Sequence, residues 1–314
     1  MLAAGNKDAT GLDDPAQALS AGALAARARG ELTALLERLR AVRTTRYGTP
    51  AGLEDLAPLT GEALLAEAEA HPPFGRLQRA AEPLIRAGLA TAGVPRPTPI
   101  AWTRADLDRE ALWGARALRR TGLAARGRSS DCLDGGLVAP GTLAVSDALD
   151  ALDALALPVG TVAAAPALQR AAEVWAIVRP EVLITDAASL AFLHAAPDYP
   201  RPRAFAVLLT SADAAELAAP ARPDVFRIFS LPQVGTFIAG ECAEHDGFHL
   251  AEDAVLAEVV DGAAAPLPDG TAGRLLLSSL TRNLAVLRFD TGLTASLDRR
   301  ACSCGEAHAR LRFT

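Results

Sequence analysis

Residues 242–249 read CAEHDGFH, and residues 302–305 read CSCG. The two runs hold three of the chain's four cysteines, in the spacing Cys-x6-His followed later by Cys-x-Cys. Three thiolates and one imidazole suit a closed tetrahedral zinc site. The candidate ligands are Cys242, His249, Cys302 and Cys304. The spacing predicts a structural zinc site in the carboxyl third of the chain.

The alternative is a set of reduced thiols that hold no metal. A Cys-x-Cys disulfide would be strained, and it would leave one cysteine of the three unpaired. The fourth ligand is also open, because His245 lies four residues before His249 and His308 lies four residues after Cys304. Zinc with His249 as the fourth ligand is the preferred interpretation.

Further motifs surround these two runs in a definite order. They lie in residues 240–253, in the turn-rich segment 266–275, at Thr281 and in residues 302–311. Their order and spacing resemble phenylacetate:CoA ligases of the adenylate-forming (ANL) superfamily, and weaker similarity extends upstream to about Pro58. The resemblance implies an AMP-binding fold. It also supports His249, which occupies the family's recurrent Gly-x-His position.

Composition limits the class of protein. The chain has 314 residues, of which 50% are hydrophobic, so it can form one large domain or two ordinary ones. No apolar run reaches the ~18 residues of a membrane helix, and the start, with Asp8, Asp13 and Asp14, is unlike a signal peptide. The expected compartment is the cytoplasm, where cysteine clusters are more often metal sites than disulfides. With a net charge of −6 the chain is not expected to bind nucleic acid or a membrane.

Three helices are predicted in the first part of the chain, over residues 15–42, 61–70 and 104–120. Thr60 is the N-cap of the second. Thr103 and Asp106 form a capping box at the start of the third.

From Ser146 onward, predicted helices alternate with predicted strands. The helices cover residues 146–155, 166–178, 188–194 and 213–217, and the strands cover residues 161–164, 182–185, 204–210 and 225–229. This alternation predicts a mainly parallel sheet covered on both faces. After Gln233 the strands predicted over residues 255–260, 274–279, 285–289 and 294–297 indicate a small antiparallel or barrel-like subdomain.

The predicted fold class is α/β, the large domain of an ANL enzyme with a small carboxyl-terminal β subdomain that holds zinc. All of residues 1–314 are assigned to this domain. A helical region is expected over residues 1–100, the α/β sheet core over 101–235 and the β-rich zinc subdomain over 236–314. The resemblance also leads us to expect that the family's lid domain, which carries the catalytic lysine of adenylation, is absent. The only lysine of the chain is Lys7.

The segments that match the family's ATP motifs differ from them in three places. Val94 and Pro95 replace small residues of the phosphate loop, and proline donates no backbone hydrogen bond. Gln233 replaces a glutamate that holds magnesium, an ion that prefers carboxylates. Leu293 replaces an aspartate that accepts hydrogen bonds from the ribose, and leucine accepts none. ATP and magnesium are therefore not expected as cofactors, and zinc is.

The resemblance implies a carboxylate pocket between the parallel sheet and residues 229–235. Candidate lining residues are Ser211, Phe229, Ser230, Gln233, Asp134 and Arg288. Each has a structural alternative: Phe229 in the core, Arg288 in a solvated pair with Asp290, and Asp134-Gly135-Gly136 as a turn. Cys132 is expected to be a small buried residue, because neighbouring acids raise the pKa of its thiol. No catalytic residue is identified.

Three functions remain open at this point. The preferred hypothesis is a repurposed biosynthetic enzyme of specialised metabolism that has lost ATP-dependent adenylation. Its substrate would be an activated acyl or aryl compound such as a thioester. The second hypothesis is a non-catalytic partner of a ligase or carrier protein. The third is residual acid:CoA ligase or adenylating activity with a lid supplied by another chain. A homodimer is compatible with all three.

Overall fold

A computed structural model of the chain describes residues 20–41, 46–48, 50–78, 82–135, 138–196 and 198–314. The described helices are α1 (Ala21–Ala41), α2 (Gly61–Ala70), α3 (Arg104–Arg119), α4 (Thr142–Ala151), α5 (Ala165–Val178), α6 (Ala187–Ala195) and α7 (Ala214–Ala218). The described strands are β1 (Arg86–Ala90), β2 (Thr98–Trp102), β3 (Arg128–Asp131), β4 (Val138–Ala139), β5 (Leu155–Pro158), β6 (Val182–Thr185), β7 (Ala204–Leu209), β8 (Val225–Leu231), β9 (Gly235–Glu241), β10 (Phe248–Leu250), β11 (Val255–Val260), β12 (Gly273–Ser279), β13 (Phe289–Asp298) and β14 (Arg310–Phe313).

Eleven of the described strands form one sheet, in the order β11-β12-β13-β14-β10-β9-β8-β7-β6-β3-β5. Neighbouring strands from β8 to β5 are parallel, and those from β11 to β8 are antiparallel. β6 and β7 are buried along their whole length, as is typical of parallel strands covered on both faces. The chain therefore has an α/β fold with a large mixed sheet.

The sheet is continuous across Gln233. β8 and β9 form an antiparallel hairpin in which Leu231 lies opposite Gly235, and Gln233 lies in the turn between them. The strands after Gln233 extend the parallel sheet and do not form a sheet of their own. The expected antiparallel strands are thus present, but as a continuation of the parallel sheet and not as a barrel, while the division of the chain at residues 100 and 235 stays a prediction.

Three other strands form a small sheet in the order β2-β1-β4. β1 pairs antiparallel with β2 and parallel with β4. β1 and the start of β2 lie within residues 1–100, for which the sequence pattern predicts only helices. The short strands of this sheet have no long alternating pattern that would reveal them.

Local capping residues determine where the early helices begin. Thr60 accepts a hydrogen bond from the backbone N–H of Ala63, at 3.2 Å, and so caps α2. Thr103 and Asp106 exchange side-chain to backbone hydrogen bonds of 3.1 and 2.9 Å at the start of α3, which confirms the predicted capping box. Of the helix predicted over residues 15–42, the part over Ala21–Ala41 is confirmed, and residues 15–19 and 42 lie outside the described ranges.

The prediction of the first helix-strand pair after Ser146 is shifted. The helix predicted over residues 146–155 is α4, Thr142–Ala151. The strand predicted over residues 161–164 is wrong: the strand of this part of the chain is β5, Leu155–Pro158, which ends before Gly160. Alanine and leucine occupy most of residues 148–157, so the helical and strand periods are hard to separate there.

The strand predicted over residues 285–289 is wrong. The N–H of Ala285 donates to the carbonyl of Leu77, and its carbonyl accepts from the hydroxyl of Tyr47. That hydroxyl also accepts from the N–H of Leu287. These backbone groups are satisfied by residues from the start of the chain, so no neighbouring strand is needed. The residues that follow form the single long strand β13.

Gly114 lets α3 approach its neighbours closely. A Cβ on Gly114 would lie 2.5 Å from the Cβ of Ala148 in α4 and 2.7 Å from the ring of Phe237 in β9. These distances are shorter than any ordinary van der Waals contact between carbon atoms. The packing of α3 against the sheet therefore depends on the absence of a side chain at this position.

We predict that Gly114→Ala destabilises the protein by about 1–3 kcal/mol, the usual cost of overpacking, although alanine favours a helix. Gly30→Ala in α1 is the control, because a Cβ there has nothing within 4 Å. It should stabilise the protein by up to about 1 kcal/mol. Urea unfolding measures both changes, and equal effects of the two substitutions would contradict the packing argument.

Candidate functional site

The four predicted metal ligands come from neighbouring strands of the large sheet. Cys242 directly follows β9, and His249 is the middle residue of β10. Cys302 and Cys304 lie in the turn between β13 and β14. Because β13, β14, β10 and β9 are adjacent in that order, the sheet brings together cysteines that are 60 residues apart in the chain.

The cluster has the dimensions of a tetrahedral metal site. The four ligand atoms all lie within 4.8 Å of one another. The Sγ atoms of Cys242 and Cys302 are 3.9 Å apart, and the Sγ of Cys304 is 3.3 Å from the Nε2 of His249. Two thiolates bound to a tetrahedral zinc at about 2.3 Å would be about 3.8 Å apart. The donor set and its spacing therefore fit zinc.

The surroundings hold His249 in the form that binds metals. Its Nδ1 lies 3.3 Å from the backbone carbonyl of His308, so an Nδ1–H donates to that carbonyl and Nε2 keeps its lone pair toward Cys304. Burial lowers the pKa of His249 to about 4, which leaves the ring neutral at neutral pH. Burial also raises the pKa of the Cys304 thiol to about 12 and that of Cys242 above its usual value. A bound metal must therefore displace thiol protons.

The structure shows which of the three candidate histidines lies with the cysteines. His249 lies in the cluster. The Nδ1 of His245 lies 3.7 Å from the carboxylate of Glu241 instead. His308 contributes its backbone carbonyl to His249, while neither of its ring nitrogens has a hydrogen-bond partner among the described residues.

Arg120, the last residue before the turn that follows α3, connects this helix to the Cys-x-Cys turn. Its Nε and Nη2 donate to the carboxylate of Glu306 at 3.0 and 2.7 Å, and its Nη1 lies 3.4 Å from the carbonyl oxygen of His249. Gly305, with φ of 88°, allows the tight turn between Cys304 and Glu306. The cluster is thus joined to the helical layer by a charge pair.

Two of the predicted pocket residues contact residues 91–98, the segment in which the resemblance places the phosphate loop. The amide nitrogen of Gln233 donates to the carbonyl of Ala92 at 3.0 Å. A Cβ on Gly93 would lie 3.2 Å from the Oγ of Ser211 and 3.3 Å from the Nε2 of Gln233. The backbone of this segment therefore lies directly on Ser211 and Gln233.

Three buried polar atoms of the predicted pocket residues have no protein partner within the described ranges. They are the Oγ atoms of Ser211 and Ser230 and the Oε1 of Gln233. Buried side-chain polar atoms usually have at least one partner. These three atoms are exceptions to that rule among the described residues.

The other predicted pocket residues have different surroundings. Phe229 is fully buried and packs edge-to-face on Phe313, with ring centroids 5.1 Å apart, so it has the core position that was its alternative. Asp134 is exposed, and its carbonyl accepts from the N–H of Thr142. Cys132 is fully buried, and burial raises the pKa of its thiol far above the usual value, which makes it unreactive.

Arg288 does not point toward Ser211 and Gln233. Its Nε lies 3.2 Å from the carboxylate of Glu258. Its two Nη atoms donate to the carbonyls of Leu56 and Ala264, at 2.7 and 3.0 Å. The guanidinium is buried and used to connect three segments of the chain. The solvated pair with Asp290 that was its alternative is wrong, because Arg288 is buried and pairs with Glu258, while Asp290 pairs with Arg274.

A buried ion pair that the sequence pattern does not reveal holds the turn of Gln233. The Nε of Arg282 lies 3.4 Å from the carboxylate of Glu110, and its two Nη atoms donate to the carbonyls of Pro232 and Ala101. Glu110 also accepts from the indole N–H of Trp102, at 3.1 Å. Burial raises the pKa of Glu110. Glu110 and Arg282 are 172 positions apart in the chain, so no local sequence pattern predicts that they pair.

No protein-family model matches the chain. Over 279 residues the chain is 28% identical to phenylacetate-coenzyme A ligase of Thermus thermophilus. The match covers 83% of this chain and 60% of the relative, so the chain spans less than two thirds of that protein's length.

Solved structures of 2-hydroxyisobutyryl-CoA ligase have a similar fold. The complex with 2-HIB-AMP and CoA in the thioesterification state matches with a TM-score of 0.74 and 18% identity, over 94% of this chain and 68% of the ligase. The open conformation matches with a TM-score of 0.71 and 18% identity, over 90% and 73%. The fold is therefore that of acyl-CoA ligases of the adenylate-forming superfamily. Within this class, the chain is a homologue of phenylacetate-CoA ligase.

In the described ranges, no helix is both long enough and apolar enough to cross a membrane.

We predict that Arg282→Met destabilises the protein by about 3–5 kcal/mol, because it leaves the buried Glu110 carboxylate without its cation. Arg300→Met is the control, since 84% of the Arg300 side chain is exposed in its pair with Asp298. An exposed pair of this kind adds little to stability, so this variant should unfold much like the unmodified protein. Chemical unfolding distinguishes the two, and a loss below about 1 kcal/mol for Arg282→Met would show that the pair does not hold the turn.

Proposed function

We propose that the chain is a phenylacetate:CoA ligase-like protein that has lost ATP-dependent adenylation and keeps a pocket for an acyl or aryl group. Its role would be that of a repurposed biosynthetic enzyme that acts on an already activated substrate, such as a thioester. The observation that carries the proposal is the contact of Gln233 with the carbonyl of Ala92. Gln233 occupies the position of the motif's magnesium ligand, and in this arrangement its side chain is hydrogen-bonded to the chain's own phosphate-loop segment.

Two further contacts support the loss of nucleotide binding. Arg96, the remaining cation of the phosphate-loop segment, pairs with the carboxylate of Glu69. Leu293, at the ribose-binding position of the motif, is buried among apolar side chains of the core. Leu293 therefore offers no contact to a ribose, and Arg96 already has a carboxylate partner, although its side chain is 63% exposed.

The unpaired polar atoms support the retained pocket. Buried atoms on Ser211, Ser230 and Gln233 have no protein partner in the described ranges, and leaving such a group unpaired costs about 1–3 kcal/mol. A substrate carbonyl would accept hydrogen bonds from the serine hydroxyls, and a substrate hydroxyl would donate to the Oε1 of Gln233. Acyl and aryl thioesters carry a carbonyl, which makes them suitable candidates.

We also propose that Cys242, His249, Cys302 and Cys304 bind one structural zinc ion. The four ligands leave no open coordination position, so the metal would stabilise the fold and would not take part in chemistry. The sequence spacing and the distances between the ligand atoms support this assignment.

We expect purified protein to contain about one zinc per chain, measured by elemental analysis. The double variant Cys302→Ser, Cys304→Ser should lose the metal and unfold at a lower denaturant concentration, because it removes two ligands. Cys132→Ala is the matched control and should keep the metal, since Cys132 lies outside the cluster. Protein prepared without chelators that contains no metal would defeat the proposal.

Acid should release the metal, since the Cys242 and Cys304 thiols have raised pKa values and protons compete with zinc for sulfur. His249→Ala should lose zinc and His308→Ala should keep it. The reverse result would leave the zinc site standing and change only its fourth ligand.

We predict that ATP with magnesium binds no tighter than millimolar and that no carboxylic acid supports pyrophosphate exchange. Losing about 4 kcal/mol of nucleotide contacts at independent positions weakens binding roughly a thousandfold. Isothermal titration and an exchange assay measure the two quantities. Micromolar binding, or exchange that Gln233→Ala abolishes, would identify the protein as an active ligase.

The double variant Gln233→Glu, Leu293→Asp tests how complete the loss is. It should not restore exchange, because Pro95 still cannot donate a backbone hydrogen bond in the phosphate-loop segment. Exchange in this variant would show that two substitutions alone account for the loss.

A further inference from the structure

A cavity of about 210 Å³ lies between α6, one face of β7 and β8, and residues 216–222. It contains none of the residues predicted for the substrate pocket and none of the metal ligands. The wall from α6 consists of Ala187, Leu190, Ala191 and His194, which lie on one helix face at the spacing i, i+3, i+4 and i+7.

The remaining walls follow the same regular geometry. Val207 and Leu209 of β7 are two residues apart, and so are Val225 and Arg227 of β8, so each pair lies on one face of its strand. The last wall comes from residues 216–222. The alanines at 187 and 191 leave open space that larger side chains would fill. The cavity is therefore a largely apolar space built by rigid elements.

The polar groups of the cavity include one uncommitted cation. The guanidinium of Arg227 is bound by the carboxylate of Glu241 and by backbone carbonyls, including that of Glu216. Arg222 has no ion pair with a carboxylate in the ranges that the structure describes. Its Nη1 and Nη2 lie 3.0 and 3.4 Å from the Nδ1 and Nε2 of His194, so the guanidinium lies along the imidazole ring.

This contact leaves donors of Arg222 free. A guanidinium has five N–H bonds, and the two contacts with His194 use at most two of them. The ring of His194 is fixed from its other side by an edge-to-face contact with Phe205, with centroids 5.1 Å apart. Burial, and then the neighbouring Arg222, lowers the pKa of His194, so the imidazole is neutral and Arg222 carries the charge. Glu216 lines the cavity, Asp224 acts on His194, and Glu241 is bound to Arg227; none of the three pairs with Arg222 among the described residues.

We propose that this cavity is a second binding site, which takes a small carboxylate with an apolar body and holds the carboxylate at Arg222. The geometry of the guanidinium suits a carboxylate, because two parallel N–H bonds can meet its two oxygens. The volume sets the size of the body. An apolar cavity of about 150 Å³ holds a benzene molecule, so this one holds a single ring or an aliphatic chain of similar size.

The site goes beyond the proposed function and does not depend on it. The substrate pocket proposed above involves Ser211 and Gln233 near the carboxyl ends of β7 and β8, whereas Arg222 lies before β8 begins. A ligand at Arg222 is bound without ATP, zinc or catalysis. Binding can therefore be measured on the intact chain whatever its activity is.

The test uses benzoate and its neutral analogue benzamide, measured by isothermal titration without nucleotide. Benzoate should bind saturably, and benzamide about tenfold more weakly, the effect of losing one charge-assisted hydrogen bond. Acetate, which lacks the apolar body, should not give saturable binding. Absence of saturable benzoate binding would overturn the proposal.

Two variants locate the ligand. Arg222→Gln should weaken benzoate to the affinity of benzamide, and Arg170→Gln, an exposed arginine of α5 outside the cavity, should leave both affinities unchanged. Ala191→Phe fills the cavity from an exposed position and should abolish binding of both compounds. An unchanged ratio of benzoate to benzamide affinity in Arg222→Gln would show that Arg222 does not hold the carboxylate.

Gln233→Ala separates this site from the pocket of the proposed function. The component of benzoate binding that depends on Arg222 should persist in this variant. If Gln233→Ala removes all benzoate binding and Ala191→Phe removes none, the ligand occupies the other pocket and the second site is refuted. That outcome would still agree with the proposed function.

Discussion

The hydrogen bonds between β8 and β9 are the constraint on which the rest of the structure depends. They join the parallel strands to the antiparallel ones and set Ile228 opposite Gly240 and Phe229 opposite Ala239. The turn of this hairpin carries Gln233, and the far end of β9 leads directly to Cys242. Both the predicted pocket and the metal cluster are therefore positioned by one hairpin in the middle of the sheet.

The length of β9 also separates the two sites. A strand of seven residues spans about 20 Å at the usual rise of an antiparallel strand. A metal at Cys242 could not contact a substrate at Gln233 over this distance. This is why a bound zinc ion is expected to act on stability, through β9, β10 and the turn before β14.

Buried ion pairs fix how α3 sits on this sheet. Arg116 of α3 pairs bidentately with Asp253, with both partners almost fully buried, and Glu110 of the same helix pairs with Arg282. Pairs of this kind add little net stability, because removing both charges from water is costly. A buried charge left without its partner is far more destabilising, so only one position of α3 on the sheet is favourable. Trp102, Arg282 and the turn of Gln233 take their positions from that placement of α3.

The sequence by itself determined the features that depend on neighbouring residues or on residue type. The caps at Thr60 and Thr103, most of the helices and the central strands follow from local hydrogen bonds and hydrophobic period. The four-residue metal cluster and the resemblance to adenylate-forming ligases follow from residue types in a fixed order. The tertiary structure decided which histidine joins the cysteines, that Arg288 pairs with Glu258, and that Ala285 and Leu287 bond to Tyr47. It also revealed the cavity beside Arg222. These outcomes depend on contacts between residues far apart in the chain, 238 positions for Tyr47 and Ala285, and such contacts leave no pattern in a local stretch of sequence.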